Sequence, residues 1–220
     1  MKLGAFYRST IGKKLIMALT GVVWVGYVVA HMTGNLLVFA GAESINGYAH
    51  KLREMPALLW AARAVLAVSL LLHVVAAAQL TRLKRAARPV GYERYQPEVS
   101  TWGGRTIRFG GVAILIFVIL HLLHLTTGDI HPTFVPGDVY GNVVSAFSVW
   151  WISALYVIAM VALALHLYHG VASAVQTAGI THTTISPRRK AAGWILAAIV
   201  AGGFSIVPIA ILLGLIGGAR

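Results

Sequence analysis

The chain has no cysteine and very few acidic residues. Without cysteine among its 220 residues, it can have no disulfide, no cysteine-ligated iron–sulfur cluster, no c-type haem attachment and no cysteine-based zinc site. Aspartate and glutamate number 6 against 18 lysines and arginines, so only 11% of the chain is charged. A hydrophobic fraction of 58% and a mean hydropathy of +0.79 therefore place the chain among membrane proteins.

The polar segments between the apolar stretches are too short to form a soluble domain. Residues 1–220 are therefore expected to form a single all-α transmembrane domain. A membrane-spanning helix needs about 20 apolar residues, and five stretches reach that length. The predicted spans are residues 15–40, 56–80, 107–127, 147–177 and 191–215.

The basic residues of the connecting segments are distributed unevenly. Five spans place the N-terminus and the connections after spans two and four on one side, and these segments hold 14 of the 18 lysines and arginines. The positive-inside rule predicts that this side is cytoplasmic, so the C-terminus lies outside. Orientation accounts for the net charge of +12 without a nucleic-acid partner, and the basic side could contact anionic lipid or a soluble partner.

Histidines lie inside the predicted spans with almost no carboxylate beside them. Ionisable residues are costly at membrane depth, so each is a candidate for function. The missing carboxylates argue against a proton relay and against a hard-metal site. Neutral imidazoles from different helices are instead what bis-histidine haem ligation requires. The six histidines within spans are His31, His73, His121, His124, His166 and His169.

The depth of each histidine sorts them into two levels. At 1.5 Å per residue, His31 lies roughly 26 Å and His121 roughly 20 Å from the basic edge of its span. His73 lies roughly 14 Å and His166 roughly 17 Å from the same side. Spans one and three thus supply an outer pair and spans two and four an inner pair, so four helices are predicted to surround two stacked b haems.

Two spans carry a second histidine that depth does not exclude. His124 follows His121, and His169 follows His166, at a spacing of three residues that places both members on one helix face. His124, at roughly 24 Å, matches the depth of His31 slightly better than His121 does. A histidine that binds no haem would hydrogen-bond to a haem propionate, a quinone or a neighbouring helix.

Several segments resemble the succinate dehydrogenase/fumarate reductase cytochrome b subunit, the di-haem b558 family of membrane anchors. The similarity covers nearly the whole chain, and the opening block is the most specific part of it. That block comprises residues 9–14, 17–21 and 31–36, and residues 45–50, 102–104, 121–126 and 179–181 fit further along.

The resemblance implies an anchor with five helices and two haem b groups in a bacterial plasma membrane. Carried over by motif position, the haem ligands are His31 with His121 and His73 with His166. The implied partners are an iron–sulfur subunit and a flavoprotein subunit that carries FAD and the dicarboxylate chemistry of complex II. The chain itself would pass electrons to or from a membrane quinone, by resemblance menaquinone, and a trimer of complexes is one oligomeric state to test.

Haem propionates need cationic or hydrogen-bonding groups at the membrane interface. Candidates on the basic side could also act simply as topology charges and membrane anchors. They are Lys13, Trp102, Arg105 and Arg108.

A candidate quinone pocket follows span one, where four polar residues cluster. The alternative for this segment is a solvated connection without a ligand. The four residues are Glu43, Asn46, His50 and Arg53.

Two other classes of protein are compatible with the same pattern. One is the cytochrome b anchor of another respiratory oxidoreductase, such as a hydrogenase or formate dehydrogenase, which would co-purify with different subunits. The other is a transporter or structural membrane protein without haem, whose histidines serve helix packing and which would show no Soret band.

Overall fold

The computed structural model describes residues 6–7, 9–87, 102–179 and 185–217, without the side chains of residues 102–105, 185–187 and 189. Within these ranges every regular element is a helix. Five helices are long and apolar enough to cross a membrane, which confirms the predicted all-helical architecture with five spans. The spans are Thr10–Ala40, Pro56–Ala86, Thr106–Leu125, Trp150–Thr177 and Lys190–Leu212.

Seven helices follow one another along the described chain and are numbered in chain order. The second and fifth are short, and the other five contain the spans. A 3-10 turn at Leu37–Ala40 extends the first helix. The bounds are α1 Thr10–Leu36, α2 Ala42–Arg53, α3 Pro56–Ala86, α4 Trp102–Leu125, α5 Val139–Phe147, α6 Trp150–Thr177 and α7 Ile185–Leu212.

Local sequence accounts for several helix ends. The Ser9 hydroxyl oxygen accepts a hydrogen bond from the Gly12 N–H at 2.9 Å and so caps α1. Pro56 occupies the first turn of α3, where its missing N–H costs no hydrogen bond. Gly41 has a φ of +92°, a conformation that glycine adopts readily, and the chain turns there from the 3-10 turn into α2.

The third and fourth spans differ from their predicted limits. Helix α4, which contains the third span, ends at Leu125 rather than at residue 127, and the fourth span begins at Trp150 rather than at residue 147. Phe147 instead ends α5, and the extended Val149 separates the two helices. Hydropathy could not detect this break because residues on both sides of it are apolar and Phe147 is buried.

The two short helices were not predicted, and they pack against each other beside the spans. Asn46 of α2 joins them, since its side-chain N–H donates to Asp138 at 3.0 Å and its oxygen accepts from the Tyr140 N–H at 2.9 Å. Ile45 is buried on the apolar side of α2, and Val143 on that of α5. The connections after spans one and three therefore form one structured cap at the end of the bundle.

The long helices include two packed pairs, α1 with α3 and α4 with α6, and the packing of α6 with α7 is more extensive than either. Helix α1 also packs against α6, and α7 packs against both α6 and α1. Helix α7 approaches α6 closely at Gly193, where an added Cβ would lie 2.9 Å from the Tyr168 carbonyl oxygen. This arrangement leaves the faces of the two pairs opposite each other, and the half-buried histidines His31, His73, His121 and His166 lie there.

Candidate cofactor site

Two histidines face each other at the end of the bundle that carries the cap. The ring centres of His31 on α1 and His121 on α4 lie 5.8 Å apart, with their planes inclined by 75°. Tyr27 stacks on His31 at 5.4 Å, and Phe204 of α7 lies 5.7 Å from the same ring. Phe117 lies 5.8 Å from His121. Aromatic rings thus enclose both imidazoles.

A second histidine pair lies farther from the cap along the bundle. The ring centres of His73 on α3 and His166 on α6 are 6.1 Å apart, with an interplanar angle of 53°. A glycine adjoins each ring: a Cβ added at Gly21 would lie 3.7 Å from His73 Cε1, and one at Gly111 would lie 3.8 Å from His166 Cε1. Any side chain larger than alanine at these glycines would occupy space beside the imidazoles.

Each histidine pair joins two helices that do not otherwise pack closely. Among the described residues, neither α1 with α4 nor α3 with α6 is one of the closely packed helix pairs. Imidazole nitrogens bind a transition metal at about 2 Å, so two of them on opposite sides of one ion bring the ring centres to about 6 Å. The observed separations of 5.8 and 6.1 Å therefore fit one metal centre between each pair.

The hydrogen bond of His73 leaves one particular ring nitrogen available. Its Nδ1 lies 3.1 Å from the Thr20 hydroxyl oxygen. When that hydroxyl donates its proton to the Ile16 carbonyl at 2.8 Å, it accepts from His73 Nδ1–H. The Nε2 lone pair of His73 then remains for a metal, the usual arrangement of a ligating histidine.

The other three imidazoles differ from one another. His121 Nδ1 contacts the Tyr156 hydroxyl at 3.4 Å, which also leaves its Nε2 for a ligand. His166 Nδ1 is buried and has no hydrogen-bond partner in the part of the chain that the structure describes. His31 is the exception, because its Nε2 accepts a hydrogen bond from the Asn35 side-chain N–H at 3.3 Å. The same Asn35 amide group also donates to the His31 carbonyl at 2.8 Å.

The second histidines of α4 and α6 are placed differently from the first. His124 is buried, its Nδ1 lies 3.0 Å from the Tyr156 hydroxyl, and its ring stacks on His131 at 4.9 Å. On α6 it is the ring of His166, one turn before His169, that lies opposite His73. The structure thus brings His31 together with His121 and His73 with His166, and haem binding by these pairs stays a prediction.

The candidate propionate partners lie toward the basic side. Lys13 is buried, donates from Nζ to the Tyr7 carbonyl at 3.0 Å and sits 5.2 Å from the centre of the Tyr7 ring. Arg108 is exposed at the start of the third span. The side chains of Trp102 and Arg105 lie outside the described part of the structure.

The four candidate quinone residues lie on α2 but do not act together. Asn46 is occupied with joining α2 to α5. His50 forms an exposed ion-pair contact with Glu54 at 3.4 Å, and Arg53 is exposed. Glu43 alone of the four lines a cavity of about 550 Å³, whose other lining residues are Ser44, Gly47, Tyr48 and Lys51.

Sequence reasoning missed the residues that support the histidines, chiefly Thr20, Tyr156 and His131. One signal was present for α1: Thr20, Trp24 and Tyr27 lead to His31 at spacings of four, three and four, so they share its helix face. For Tyr156 and His131 the sequence offered none, because their partners come from other helices or from a connecting segment.

The fold and the histidines define a class of protein before any comparison is made. The chain is a multi-pass helical membrane protein with two pairs of histidines that face each other between its spans. Within the described ranges, no group of three or more histidines, aspartates and glutamates could hold a metal ion on its own. The class is therefore that of multi-pass helical membrane proteins with paired histidines between their spans.

Comparison with known families identifies the chain more closely. The family described as succinate dehydrogenase/fumarate reductase transmembrane subunit matches residues 81–205, which is over half of the sequence. The chain belongs to this family, and the match includes His121 and His166 but begins after His31 and His73. Neither the curated proteins nor the solved structures contain a match to the chain. Membership makes the chain a membrane subunit of a complex with other subunits.

Proposed function

We propose that the chain is a di-haem cytochrome b, the membrane anchor that passes electrons between the iron–sulfur subunit of a succinate:quinone oxidoreductase and membrane menaquinone. The observation that carries the proposal is the presence of two histidine pairs, each bridging helices that do not otherwise pack closely. Family membership supports the complex, and the histidine geometry supports the cofactor.

The four imidazoles are the residues that would hold haem iron, His31 with His121 and His73 with His166. Haem bound in this way supplies reversible one-electron transfer. The chain contributes two neutral nitrogens on opposite helices at each level and an apolar surrounding that excludes water. Burial and the hydrogen bonds of the outer ring nitrogens set how strongly each imidazole donates electrons to a metal.

A quinone head group has a suitable place beside α2. The cavity of about 550 Å³ is lined by Glu43, Tyr48 and Lys51 among others, and these side chains can hydrogen-bond to quinone oxygens and supply protons. Tyr48 reaches back toward α1, since a Cβ at Gly34 would lie 2.9 Å from its ring. Gly34 is three residues from His31 along α1, so Tyr48 contacts α1 about one turn from the first histidine pair.

The iron–sulfur and flavoprotein subunits would dock on the basic side, which we assign to the cytoplasm. Exposed cationic residues gather at the start of α1, the end of α3 and the starts of the third and fifth spans. Those with described side chains are Lys14, Arg82, Lys84, Arg85, Arg108, Arg188 and Lys190.

Haem content tests the proposal directly. Purified with its partner subunits, the complex should contain two haem b per chain by pyridine haemochrome analysis. His31→Leu and His73→Leu should each retain about one haem and lose succinate–menaquinone reductase activity, because each removes one of the two imidazoles that would hold that haem. His169→Leu is the matched control on the same helix as His166 and should retain both haems.

Other outcomes would contradict distinct parts of the proposal. One haem per wild-type chain would exclude the two-level arrangement. No Soret band at all would favour a structural or transport role for the histidines. Co-purification with hydrogenase or formate dehydrogenase subunits would leave the cytochrome intact and change the complex to which it belongs.

A further inference from the structure

Tyr156 of α6 lies between the two histidines of α4. Its side chain is buried, and its ring is fixed edge-on against Phe117 at 5.0 Å and Phe147 at 4.9 Å. Its hydroxyl lies 3.0 Å from His124 Nδ1 and 3.4 Å from His121 Nδ1. One hydroxyl is therefore within hydrogen-bonding distance of two imidazoles.

A phenol has a single proton, which fixes the roles in this arrangement. If the hydroxyl donates to one Nδ1, it must accept from the other, which then carries the proton. Hydrogen bonds donated by O–H are typically shorter than those donated by N–H. We assign the shorter contact, at 3.0 Å, to donation by Tyr156 to His124, so that His121 Nδ1–H donates to Tyr156 across 3.4 Å. In this tautomer the Nε2 lone pair of His121 is available.

His131 holds His124 in place from the other side. Its Nε2–H donates to the Asn142 carbonyl at 3.0 Å, and its Nδ1 accepts from the Thr133 N–H at 3.2 Å. Both nitrogens of His131 are therefore used, and its buried ring is fixed to the backbone next to α5. His124 stacks on this fixed ring at 4.9 Å and 25°. His131 of the cap thus contacts His124, His124 contacts Tyr156, and Tyr156 contacts His121.

We propose that His131, His124 and Tyr156 are positioning residues that hold His121 in the tautomer with the proton on Nδ1 and thereby set its strength as a metal ligand. The inference rests on the proposed function. An imidazole that donates from Nδ1 is a stronger electron donor through Nε2, which stabilises the oxidised state of the metal. The other pair has a separate support, the Thr20 hydroxyl beside His73, so the two centres can be adjusted independently.

Single substitutions can separate these supports. Tyr156→Phe removes only the hydroxyl and keeps the aromatic contacts. His124→Leu removes the acceptor for the Tyr156 proton, whereas His124→Asn retains an acceptor near the position of Nδ1. Thr20→Val is the matched control, because it removes the corresponding hydroxyl at the other pair.

Potentiometric titration followed by the haem spectra measures the reduction potential of each centre, and EPR of the oxidised complex records its low-spin signal. His31→Leu identifies the signals of the centre that contains His121. Tyr156→Phe and His124→Leu should move that centre to higher potential, with a changed low-spin EPR signal, and leave the other centre unchanged. His124→Asn should restore nearly wild-type behaviour. Thr20→Val should move only the other centre.

The alternatives are distinguishable. Unshifted potentials in Tyr156→Phe with two haems present would overturn the inference while leaving the proposed function intact. Loss of a haem in His124→Leu would also overturn it, because His124 would then be a ligand. Equal shifts of both centres would indicate a general structural effect and count against it. A wild-type complex without haem would overturn both the proposed function and the inference.

Discussion

An imidazole inside a membrane span needs partners for its two nitrogens, since an unpaired polar group costs free energy in an apolar medium. His73 is paired with Thr20 and His121 with Tyr156 through Nδ1. His166 Nδ1 and Trp24 Nε1 are the two buried side-chain polar atoms without a partner in the described residues. Both lie on helices that bear facing histidines, which is where a bound group would supply the missing contacts.

Two adjacent glycines on α4 test the space beside His166. Gly111→Leu should displace the His166 ring, because the Cβ alone already reaches 3.8 Å from it, and one haem should be lost. Gly110→Leu is the matched control, since a Cβ there meets nothing within 4 Å. Pyridine haemochrome analysis of both purified variants checks the expectation. Equal haem content in the two variants would contradict it.

At the scale of the elements, the short helices α2 and α5 depend on one carboxylate. Asp138 caps α5 by accepting the Gly141 N–H at 2.9 Å, and it also accepts from Asn46 at 3.0 Å. These two hydrogen bonds hold the pKa of Asp138 below its ordinary value. The charged form is therefore the one that joins the two helices.

The stability that Asp138 contributes should depend on pH. Because its pKa is lowered in the folded protein, the contribution is present above the ordinary value of about 4 and is lost as the pH falls through the lowered value. Asp138→Asn keeps a capping oxygen but does not titrate. Thermal unfolding in detergent should show the wild type more stable than Asp138→Asn at pH 7, by less than about 1 kcal/mol for a partly exposed cap.

The difference between the two proteins should shrink as the pH falls below about 4. A difference in melting temperature that stays constant from pH 7 to pH 3 would show that the charge of Asp138 has no part in holding α5. Asp138→Ala, which removes the cap as well as the charge, should be less stable than Asp138→Asn at every pH.

At the scale of the whole molecule, the histidines lie between helix pairs rather than within them. Helix α1 packs on α3, and α4 on α6, while the ring contacts run from α1 to α4 and from α3 to α6. Helix α7 carries no histidine and packs on α1 and α6. Four of the spanning helices therefore carry the facing histidines, and α7 packs against one side of the bundle.

The absence of cysteine makes the orientation of the molecule easy to measure. Lys51→Cys on α2 and Lys190→Cys at the start of the fifth span place single thiols at exposed positions on opposite sides. With the N-terminus in the cytoplasm, a membrane-impermeant maleimide should label Lys51→Cys in intact cells, and Lys190→Cys only after permeabilisation. The reverse pattern would invert the assigned orientation and move the docking side for the soluble subunits.

Much of this architecture could be predicted because the membrane imposes strong one-dimensional constraints. Apolar length located all five spans, and helix rise placed His31 with the α4 histidines and His73 with the α6 histidines. The spacing HLLH did not separate His121 from His124, since both lie on one helix face. In the structure His121 faces His31, whereas His124 contacts Tyr156 and His131.

The cap at the end of the bundle could not be predicted by the same reasoning. Residues 42–53 and 139–147 are helical, yet the contacts that join them connect Asn46 to residues more than ninety positions away. The same contacts make Asn46, a candidate quinone residue, a structural link between two helices. Periodicity within a segment carries no information about such distant partners.

Sequence by itself determined that the chain crosses the membrane five times and carries a histidine in four of its spans, because hydropathy and helix rise act along one dimension. Only the tertiary structure decided which imidazoles face each other and which are held by Thr20, Tyr156 or His131. The rotation of each helix about its axis and the choice of neighbours depend on packing between helices, and that packing is a property of the assembled bundle.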